Sequence, residues 1–353
     1  MNVAVFRPVL DALAADSRLD LALTAHHGAR ALVASLDGPP LPARVEVIGH
    51  LRARMRRTDL AICPGFYFRR GRVGIRVQMF HGVSFKSYAV NEKLRAFDEA
   101  LVTGEYHHRQ LVRAGLDADT RLRRVGMPKT DPLVRVSISR DDVLSTLDLD
   151  PARPTILYAP TRSSAVGSSL EKFGEEVVRR LGEVDEANVL IKLHDRSQPR
   201  WHRKVTEDWA SRLGAQVDRA RVRLVSTHDV VPLMAAADLL VSDVSSVTNE
   251  FLLCDRPLVY LDLPDHNAWI EKRAEELGEG DLLAWGREPG TIVADPADLP
   301  EAIRHGLTHP DEKSEARRRN AALFFDHPGR ATERAVEALY EMLALEPPER
   351  GDE

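Results

Sequence analysis

Short runs of apolar residues alternate with longer amphipathic stretches along most of this chain. Apolar runs of this length are typical of strands that are buried on both faces of a parallel sheet, and the longer stretches have helical spacing. The predicted strands are Leu60–Cys63, Ile75–Phe80, Ala100–Thr103, Thr155–Ala159, Asn188–Leu193, Leu239–Ser242 and Leu258–Leu261. The predicted helices include Asn91–Phe97, His107–Arg113, Leu170–Leu181, Val231–Ala236 and Val247–Leu253. This alternation predicts an α/β fold, with doubly wound parallel sheets covered by helices on both faces.

A break in the pattern divides the chain into two domains. Its 353 residues suffice for two domains of ordinary size. Around Val136–Pro154 a short helical stretch, DDVLSTLDLD, ends in PARP before the next apolar run begins. The predicted organisation is an α/β domain at 1–140, a second at 141–328, an amphipathic helix at 329–346 and a disordered polar tail at 347–353.

Composition places the chain among globular proteins and shows an uneven charge distribution. It is 43% hydrophobic and 29% charged, and its net charge of -5 gives no support for nucleic-acid binding. Residues 1–135 contain 22 Lys and Arg against 13 Asp and Glu, whereas the remainder contains 27 against 41. The two parts are therefore expected to face different partners or each other.

Cysteine usage and hydropathy indicate a cytoplasmic protein. Cys63 and Cys254 show no CxxC spacing, which argues against a disulfide framework and a cysteine zinc site. The first residues, MNVAVFRPVLDAL, lack the pattern of a signal peptide. The most apolar internal stretch, Val230–Val241, is too short to cross a bilayer and contains Asp238. Any membrane contact is expected to be peripheral.

Polar residues directly follow four of the apolar runs. They are His81-Gly82, Thr161-Arg162-Ser163-Ser164, His194-Asp195 and Val244-Ser245-Ser246-Val247. Ligands of open parallel sheets bind outside the carboxyl ends of the strands, so these positions are the candidates for a binding site.

The segment from Asp243 to Ser246 ends one predicted strand and opens a helix. Serine hydroxyls and free backbone N–H groups at such a point suit an anion such as a diphosphate. The alternative is that Ser245 or Ser246 only caps the helix. Glu250 lies one turn further along, where it either accepts a hydrogen bond from a ribose hydroxyl or is a solvated surface charge.

His81 is the candidate general base. Gly82 permits close backbone approach, and Ser84 and Lys86 could hold an acceptor hydroxyl and compensate phosphate charge. The alternative is a histidine that bonds to a loop carbonyl.

Lys192 and His194 share one face of their strand, where both can meet phosphate oxygens. The alternative is that Lys192 extends to solvent. His228 precedes the helix start at Asp229 and is expected to pack on a nucleotide base or ribose. These histidines follow separate strands without clustered carboxylates or cysteines, so neither a metal nor another cofactor is expected.

Residues 44–76 contain nine arginines against Glu46 and Asp59. Together with the aromatic residues in FYFRRGR, they suit an anionic membrane surface or a polyanionic acceptor, and an ordinary solvated basic face is the alternative. The arginines expected to make this contact are Arg52, Arg54, Arg56, Arg57, Arg69, Arg70 and Arg72.

Taken together, these segments resemble the CDP-glycerol glycerophosphotransferase family of teichoic acid primases and polymerases. The matching segments, in the family's order between Gln78 and Tyr260, are QMFHGVSFK, ILYAPTR, IKLHD and HDVVPLMAAADLLVSDVSSVTNEFLLCDRPLVY. FFDHPGRATERAVEAL resembles the family's carboxyl-terminal segment.

The resemblance implies a GT-B fold, in which two Rossmann-like domains face a cleft, and metal-independent transfer of an alditol phosphate with release of CMP. His81 matches the histidine near the attacking hydroxyl, and His194 matches the second essential histidine, near the diphosphate. Ser245 and Ser246 match the donor-phosphate serines, and Asp243 matches the aspartate before them.

Three departures from the family pattern concern the donor site. Arg162 follows Thr161 directly where a tryptophan commonly intervenes, KLHP is replaced by KLHD, and Asn249-Glu250-Phe251 replaces an aspartate-phenylalanine pair. The residues expected to bind the donor are Thr161, Arg162, Lys192, His228, Asp243, Ser245, Ser246 and Glu250.

The resemblance implies transfer from CDP-glycerol, or from CDP-ribitol, to a lipid-linked or polymeric glycan of the wall or capsule. The enzyme would work at the inner face of a bacterial cell membrane, with an anionic membrane surface as partner and no nucleic acid. One alternative is a GT-B nucleotide-sugar glycosyltransferase or sugar-nucleotide epimerase. Another is a catalytically silent module that binds an anionic surface.

Overall fold

Two compact units make up the protein. The computed structural model describes residues 3–24, 40–66, 72–83, 90–162, 167–197, 207–214, 216–217, 221–243 and 245–348. The first unit comprises Met1–Val83, Ala89–Asp131 and Leu323–Glu353, and the second comprises Ser84–Tyr88 and Pro132–Ala322. The boundary predicted after residue 140 lies close to the end of the first unit's central segment, and the helix predicted at 329–346 belongs to the first unit.

Strands and helices alternate along the described chain. The strands are β1 Leu21–Leu23, β2 Val45–Val47, β3 Arg57–Cys63, β4 Arg72–Met79, β5 Glu99–Val102, β6 Arg121–Arg124, β7 Thr155–Tyr158, β8 Asn188–Ile191, β9 Val222–Leu224, β10 Leu239–Ser242, β11 Leu258–Leu261 and β12 Thr291–Val293. The α-helices are α1 Val3–Ala14, α2 His50–Met55, α3 Glu105–Arg113, α4 Asp131–Val134, α5 Arg140–Thr146, α6 Ser169–Leu181, α7 Trp209–Leu213, α8 Val231–Ala236, α9 Ser246–Phe251, α10 Pro264–Glu276, α11 Leu282–Arg287, α12 Leu299–Thr308, α13 Ser314–Phe324 and α14 Ala331–Met342. Short 3-10 helices lie at Glu92–Ala96, Leu116–Ala118, Pro128–Thr130, Asp195–Ser197, Leu252–Cys254 and Pro296–Asp298.

A four-stranded parallel sheet in the order β3-β4-β5-β6 forms the centre of the first unit, and β1 and β2 form a separate parallel pair. Alternation along β4 supplies both faces of the sheet, because successive side chains point in opposite directions. Val77 and Met79 pack with α1 and α14 on one face, whereas Phe80 packs with Phe97 and Leu111 on the other. The sheet therefore separates two apolar clusters.

The chain returns to the first unit through a close backbone contact followed by α14. A Cβ atom at Gly104 would lie 2.4 Å from the carbonyl oxygen of Phe324, so only glycine fits there. Gly126 has a φ of +91°, and a Cβ at that residue would lie 2.2 Å from the carbonyl oxygen of Asp326. The buried carboxylate of Asp131 then accepts hydrogen bonds from the first backbone N–H groups of α14, those of residues 331 and 332, at 3.0 and 2.8 Å. These contacts fix the start of α14 against the first unit.

The second unit is a six-stranded parallel sheet in the order β12-β11-β10-β7-β8-β9. This is the doubly wound arrangement in which the strand order reverses between β7 and β10, the position where such sheets bind ligands. The four inner strands are completely buried, and one face of the sheet packs against α6, α7 and α12. The predicted α/β class is confirmed in both units.

Each strand predicted from an apolar run is present, with ends that differ by a few residues. The segment predicted as the helix Asn91–Phe97 is instead a 3-10 helix, Glu92–Ala96, which the side chain of Asn91 caps. No helix within the described residues is long and apolar enough to cross a bilayer.

Replacing Asp131 by alanine should destabilise the first unit. The substitution leaves two backbone N–H groups at the start of α14 without their acceptor, which costs about 1–3 kcal/mol. We expect a lower midpoint in urea denaturation and faster hydrogen exchange at the amides of Ala331 and Thr332. Asp117→Ala, at an exposed aspartate of the same unit, is the matched control. Equal midpoints for the two variants would contradict the capping role.

Candidate functional site

Asp243 directly follows β10, and its side chain bonds to the chain that follows the neighbouring strand β7. The strand order of the second unit's sheet reverses between these two strands. The Asp243 side chain is completely buried, and its two oxygens accept the backbone N–H groups of Thr161 and Ser169, each at 2.8 Å. The bonds tie Thr161 and the first residue of α6, Ser169, to the end of β10. Both carboxylate oxygens of Asp243 accept hydrogen bonds from backbone N–H groups. Asp243 therefore holds Thr161, and with it the adjacent Arg162, in position.

The predicted serine pair lies where β10 leads into α9. The Ser245 hydroxyl accepts the backbone N–H of Val247 at 3.4 Å, and the Ser245 carbonyl accepts the Thr248 hydroxyl at 2.6 Å. Ser245 thus caps α9, and Ser246 is its half-buried first residue. Glu250 is completely buried on the same helix, so the alternative of a solvated surface charge is wrong.

Lys192 and Asp195, which follow β8, form a polar cluster with His228, which follows β9. The Lys192 ammonium donates to one Asp195 oxygen at 3.2 Å, and His228 Nδ1 lies 2.8 Å from the other. Lys192 is buried, so the alternative in which it extends to solvent is wrong. Burial alone would raise the pKa of Asp195, but Lys192 and the hydrogen bond from His228 outweigh it and hold that pKa below its usual value. We refer to these three residues as the Asp195 cluster.

His194 is held as a neutral hydrogen-bond donor. Burial, followed by the nearby charge of Lys192, lowers its pKa to about 3. The backbone N–H of Arg196 donates to His194 Nδ1 at 3.0 Å, so this nitrogen is the acceptor and the ring proton is on Nε2. The charge of the exposed Arg162 guanidinium contributes to the same lowering of the His194 pKa, after burial and Lys192.

His81, in the first unit, has the opposite tautomer. It lies just beyond the end of β4, and its Nδ1 is 3.0 Å from the carbonyl oxygen of Pro64. A carbonyl can only accept, so Nδ1 carries a proton, and in the neutral form of the ring the lone pair is on Nε2. The alternative in which His81 bonds to a loop carbonyl is therefore correct for Nδ1. The same bond directs the lone pair of a neutral ring to Nε2, which is the form that a base requires.

The basic segment contains both paired and exposed arginines. Glu46 binds Arg52 at 2.9 Å and Arg56 at 3.0 Å, and Arg56 also bonds to Asp20. Arg57 and Arg72 are register partners at the exposed starts of β3 and β4. The carboxylates thus neutralise part of the predicted cationic surface.

An apolar feature accompanies the exposed arginines. Leu51 and Met55 are 67% and 66% exposed, and α2 has no buried residue. They are four positions apart on α2 and so share one side of the helix. We call Leu51, Arg54, Met55, Arg57 and Arg72 the α2 surface.

Several predicted residues lie outside the described part of the chain. They are Ser84, Lys86, Arg69 and Arg70. Gly82 is described and half-buried, directly after His81.

Sequence reasoning missed the Asp195 cluster as a unit, although the change from KLHP to KLHD marked its position. It also missed three buried polar side chains in the first unit, Gln78, His107 and Gln110. Each has a buried nitrogen or oxygen atom without a hydrogen-bond partner in the described structure. Among the described residues no group of three or more His, Cys, Asp or Glu side chains is arranged to hold a metal ion.

The sequence pattern of one protein family, CDP-Glycerol:Poly(glycerophosphate) glycerophosphotransferase, matches residues 51–341. The chain belongs to this glycerophosphotransferase family. The resemblance inferred from the motifs is thereby confirmed.

Two curated relatives of this glycerophosphotransferase family member come from Bacillus. The chain is 31% identical over 144 residues to the teichoic acid glycerol-phosphate primase of Bacillus subtilis strain 168, which covers 40% of this chain and 33% of that protein. It is 30% identical over 171 residues to the Bacillus spizizenii primase, which covers 48% of this chain and 41% of the relative. The matches therefore span less than half the length of either relative.

Solved structures show the same fold as this family member. The wall teichoic acid polymerase TagF has a TM-score of 0.64 at 14% identity, with 96% of this chain and 85% of that chain covered. S. aureus MnaA, in a structure with UDP, has a TM-score of 0.57 at 14% identity, with 100% and 96% covered. These likenesses confirm the predicted fold class, α/β with two parallel sheets of the GT-B type.

Neither His194 nor His107 should change protonation between pH 5 and 8. Burial, and then the charge of His108, lowers the pKa of His107 to about 3, as burial and Lys192 do for His194. Two-bond 1H–15N NMR spectra across that range should show both rings neutral, with the His194 proton on Nε2. Spectra of His107→Gln and His194→Gln variants assign the signals, and a titration midpoint for either ring within that range would contradict the assignment.

The same two pKa values should make the protein less stable in acid. An unfolded histidine takes up a proton near pH 6.5, whereas the folded rings do so only near pH 3. The contribution of the two histidines to the free energy of unfolding is therefore fully present above pH 6.5 and declines as the pH falls toward 3.

Proposed function

We propose that the protein is an enzyme that transfers an alditol phosphate from a CDP-alditol to a hydroxyl of a wall or capsular polymer and releases CMP. Glycerol phosphate from CDP-glycerol is the favoured group, and ribitol phosphate from CDP-ribitol is the alternative. The observation that carries the proposal is the convergence of polar groups at the carboxyl edge of the second unit's sheet in a chain of this family. The names of the primases and of TagF support the same chemistry.

The donor is proposed to bind along that edge of the sheet. Lys192 and Arg162 supply positive charge to the diphosphate, and the His194 Nε2–H and the Ser246 hydroxyl supply hydrogen bonds. His228 and Glu250 are assigned to the nucleoside, with ribose hydroxyls as their partners. Thr161, Asp243 and Ser245 act by holding the backbone on either side of the reversal point.

His81 is proposed to act on the acceptor. Its Nε2 takes the proton of the acceptor hydroxyl while that oxygen attacks the phosphorus that bears the alditol. The bond from this phosphorus to the bridging oxygen breaks, and CMP leaves with the electron pair. The charge that develops on CMP is met by the donor-site cations. Gly82 leaves room for the acceptor, and Ser84 and Lys86 are assigned to its polar groups.

The acceptor is proposed to be a lipid-linked or polymeric glycan at the inner face of the cell membrane, with the α2 surface as the part of the protein that meets the lipid. Leu51 and Met55 would enter the boundary between headgroups and acyl chains, while Arg54, Arg57 and Arg72 contact anionic headgroups. Exposed apolar side chains flanked by cations suit that boundary better than water.

A donor panel tests the reaction. Purified protein supplied with CDP-glycerol, CDP-ribitol or UDP-sugars and a glycan acceptor should release CMP, and the rate with each CDP-alditol identifies the alditol. His81→Ala should remain folded and lose about 10²–10⁴-fold of that rate, because it removes the base. His108→Ala, at a half-buried histidine of the same unit, is the matched control.

Other products of the panel would replace the proposal with a named alternative. UDP release or epimerisation of a UDP-sugar, with no CMP from either CDP-alditol, would indicate a glycosyltransferase or an epimerase. Salt-sensitive vesicle binding with no turnover of any donor would indicate a silent binding module. Full activity of His81→Ala would remove the base assignment alone.

Vesicle binding tests the α2 surface. The double variant Leu51→Ser, Met55→Ser should bind phosphatidylglycerol vesicles about tenfold more weakly, because it removes the apolar side chains that insert. Val136→Ser, at an apolar residue that is 82% exposed in the second unit, is the control. Binding should weaken as salt rises and on phosphatidylcholine vesicles. Unchanged binding of the double variant would exclude this surface.

A further inference from the structure

Asp195 lies at the centre of a buried polar cluster directly after β8. Its side chain is 9% exposed, and those of Lys192 and His228 are each 10% exposed. A carboxylate that is removed from water to this extent needs partners for both oxygens. Here each oxygen has one, with distances of 3.2 Å to Lys192 Nζ and 2.8 Å to His228 Nδ1. One short side chain thereby holds two others in place.

We propose that Asp195 is a positioning residue of the donor site, which fixes the direction of the Lys192 ammonium with one oxygen and the tautomer of His228 with the other. This inference rests on the proposed function, because it assigns a task to a residue that does not itself meet the donor. In this proposal Asp195 touches neither phosphate nor ribose and acts only through Lys192 and His228.

The Lys192 ammonium has a defined direction because two of its three N–H groups are used. One donates to Asp195, and another donates to the carbonyl oxygen of Leu193 at 3.2 Å. Among the described residues these are its acceptors, which leaves one N–H for an anion. Lysine is a point charge on a flexible four-carbon chain, so without Asp195 the ammonium would lose its orientation toward the diphosphate.

His228 has a defined tautomer because a carboxylate only accepts hydrogen bonds. Its Nδ1 must carry a proton to bond to Asp195, and in the neutral form of the ring the lone pair is then on Nε2. This is the form that accepts a hydrogen bond from a hydroxyl, which matches the ribose role proposed for His228. The His194 ring has the reverse tautomer, with its proton on Nε2, so the two rings have complementary tasks.

An asparagine at position 195 cannot serve both partners. Its amide has one acceptor oxygen in place of two, and its NH2 group can only donate. Either Lys192 loses its acceptor, or His228 must turn Nδ1 into an acceptor and move its proton to Nε2. The isosteric variant therefore changes hydrogen-bond direction with almost no change in volume.

Kinetics of Asp195→Asn with CDP-glycerol test the proposal. The KM for the donor should rise about tenfold to a hundredfold, as for loss of one charge-assisted hydrogen bond, while the KM for the acceptor stays unchanged. Asp185→Asn is the matched control, because Asp185 pairs with Arg221 but is 87% exposed and precedes β8 at the opposite edge of the sheet. An Asp195→Asn enzyme with the wild-type donor KM would overturn the proposal.

The His228 tautomer provides a second measurement that needs no substrate. Two-bond 1H–15N spectra of the wild type should show His228 protonated on Nδ1, with His228→Gln used for assignment. A wild-type ring with Nδ1 unprotonated would overturn the proposal even if Asp195→Asn fails to fold. A merely structural role would lower stability without moving the tautomer or the donor KM. Wild-type protein that turns over no CDP-alditol would end the proposed function, and the spectra would still decide the role of Asp195.

Discussion

The arrangement of the second unit depends on one buried carboxylate, that of Asp243. A fully buried carboxylate is stable only when hydrogen bonds replace the water that it has lost, and here the backbone N–H groups of Thr161 and Ser169 supply them. Those same bonds hold Thr161 and the start of α6 against the end of β10. The polar groups after β7, β8 and β10 lie at one edge of the sheet, so a single interaction supports both the fold and the candidate site.

The sequence predicted the inner strands well because burial on both faces requires a continuous apolar run. The bounds of β10 and β11 follow directly from such runs, and those of α8 from its helical spacing. The strands that escaped prediction include three of the four outer strands of the two larger sheets, β6, β9 and β12. In β6 the sequence is RLRR, and in β12 the central Ile292 is 48% exposed. Short edge strands of this kind have neither the length nor the apolar content that identifies a strand.

The candidate site, too, could be predicted from the sequence only in part. Position along the chain showed which residues follow the strands, and it therefore identified Lys192, His194 and the serine pair. It could not show partners that are distant in sequence. His228 is 33 positions from Asp195, and the backbone groups that Asp243 binds are 74 and 82 positions away. Whether a polar side chain meets ligand or backbone is decided by tertiary contacts of this kind.

The first unit is discontinuous, because α14 returns to it after the entire second unit has been traversed. The bond between Asp131 and the backbone of Ala331 closes a loop of 200 positions. During synthesis, the apolar face formed by Val77 and Met79 cannot gain its α14 cover until residues 331–342 have left the ribosome. The second unit is contiguous over most of its length and is complete sooner, which reverses the usual order in which amino-terminal domains fold first. A nascent chain of this protein therefore carries a sheet face that is covered by α1 but not by α14 for most of its translation, and its exposure to chaperones and to aggregation depends on that interval.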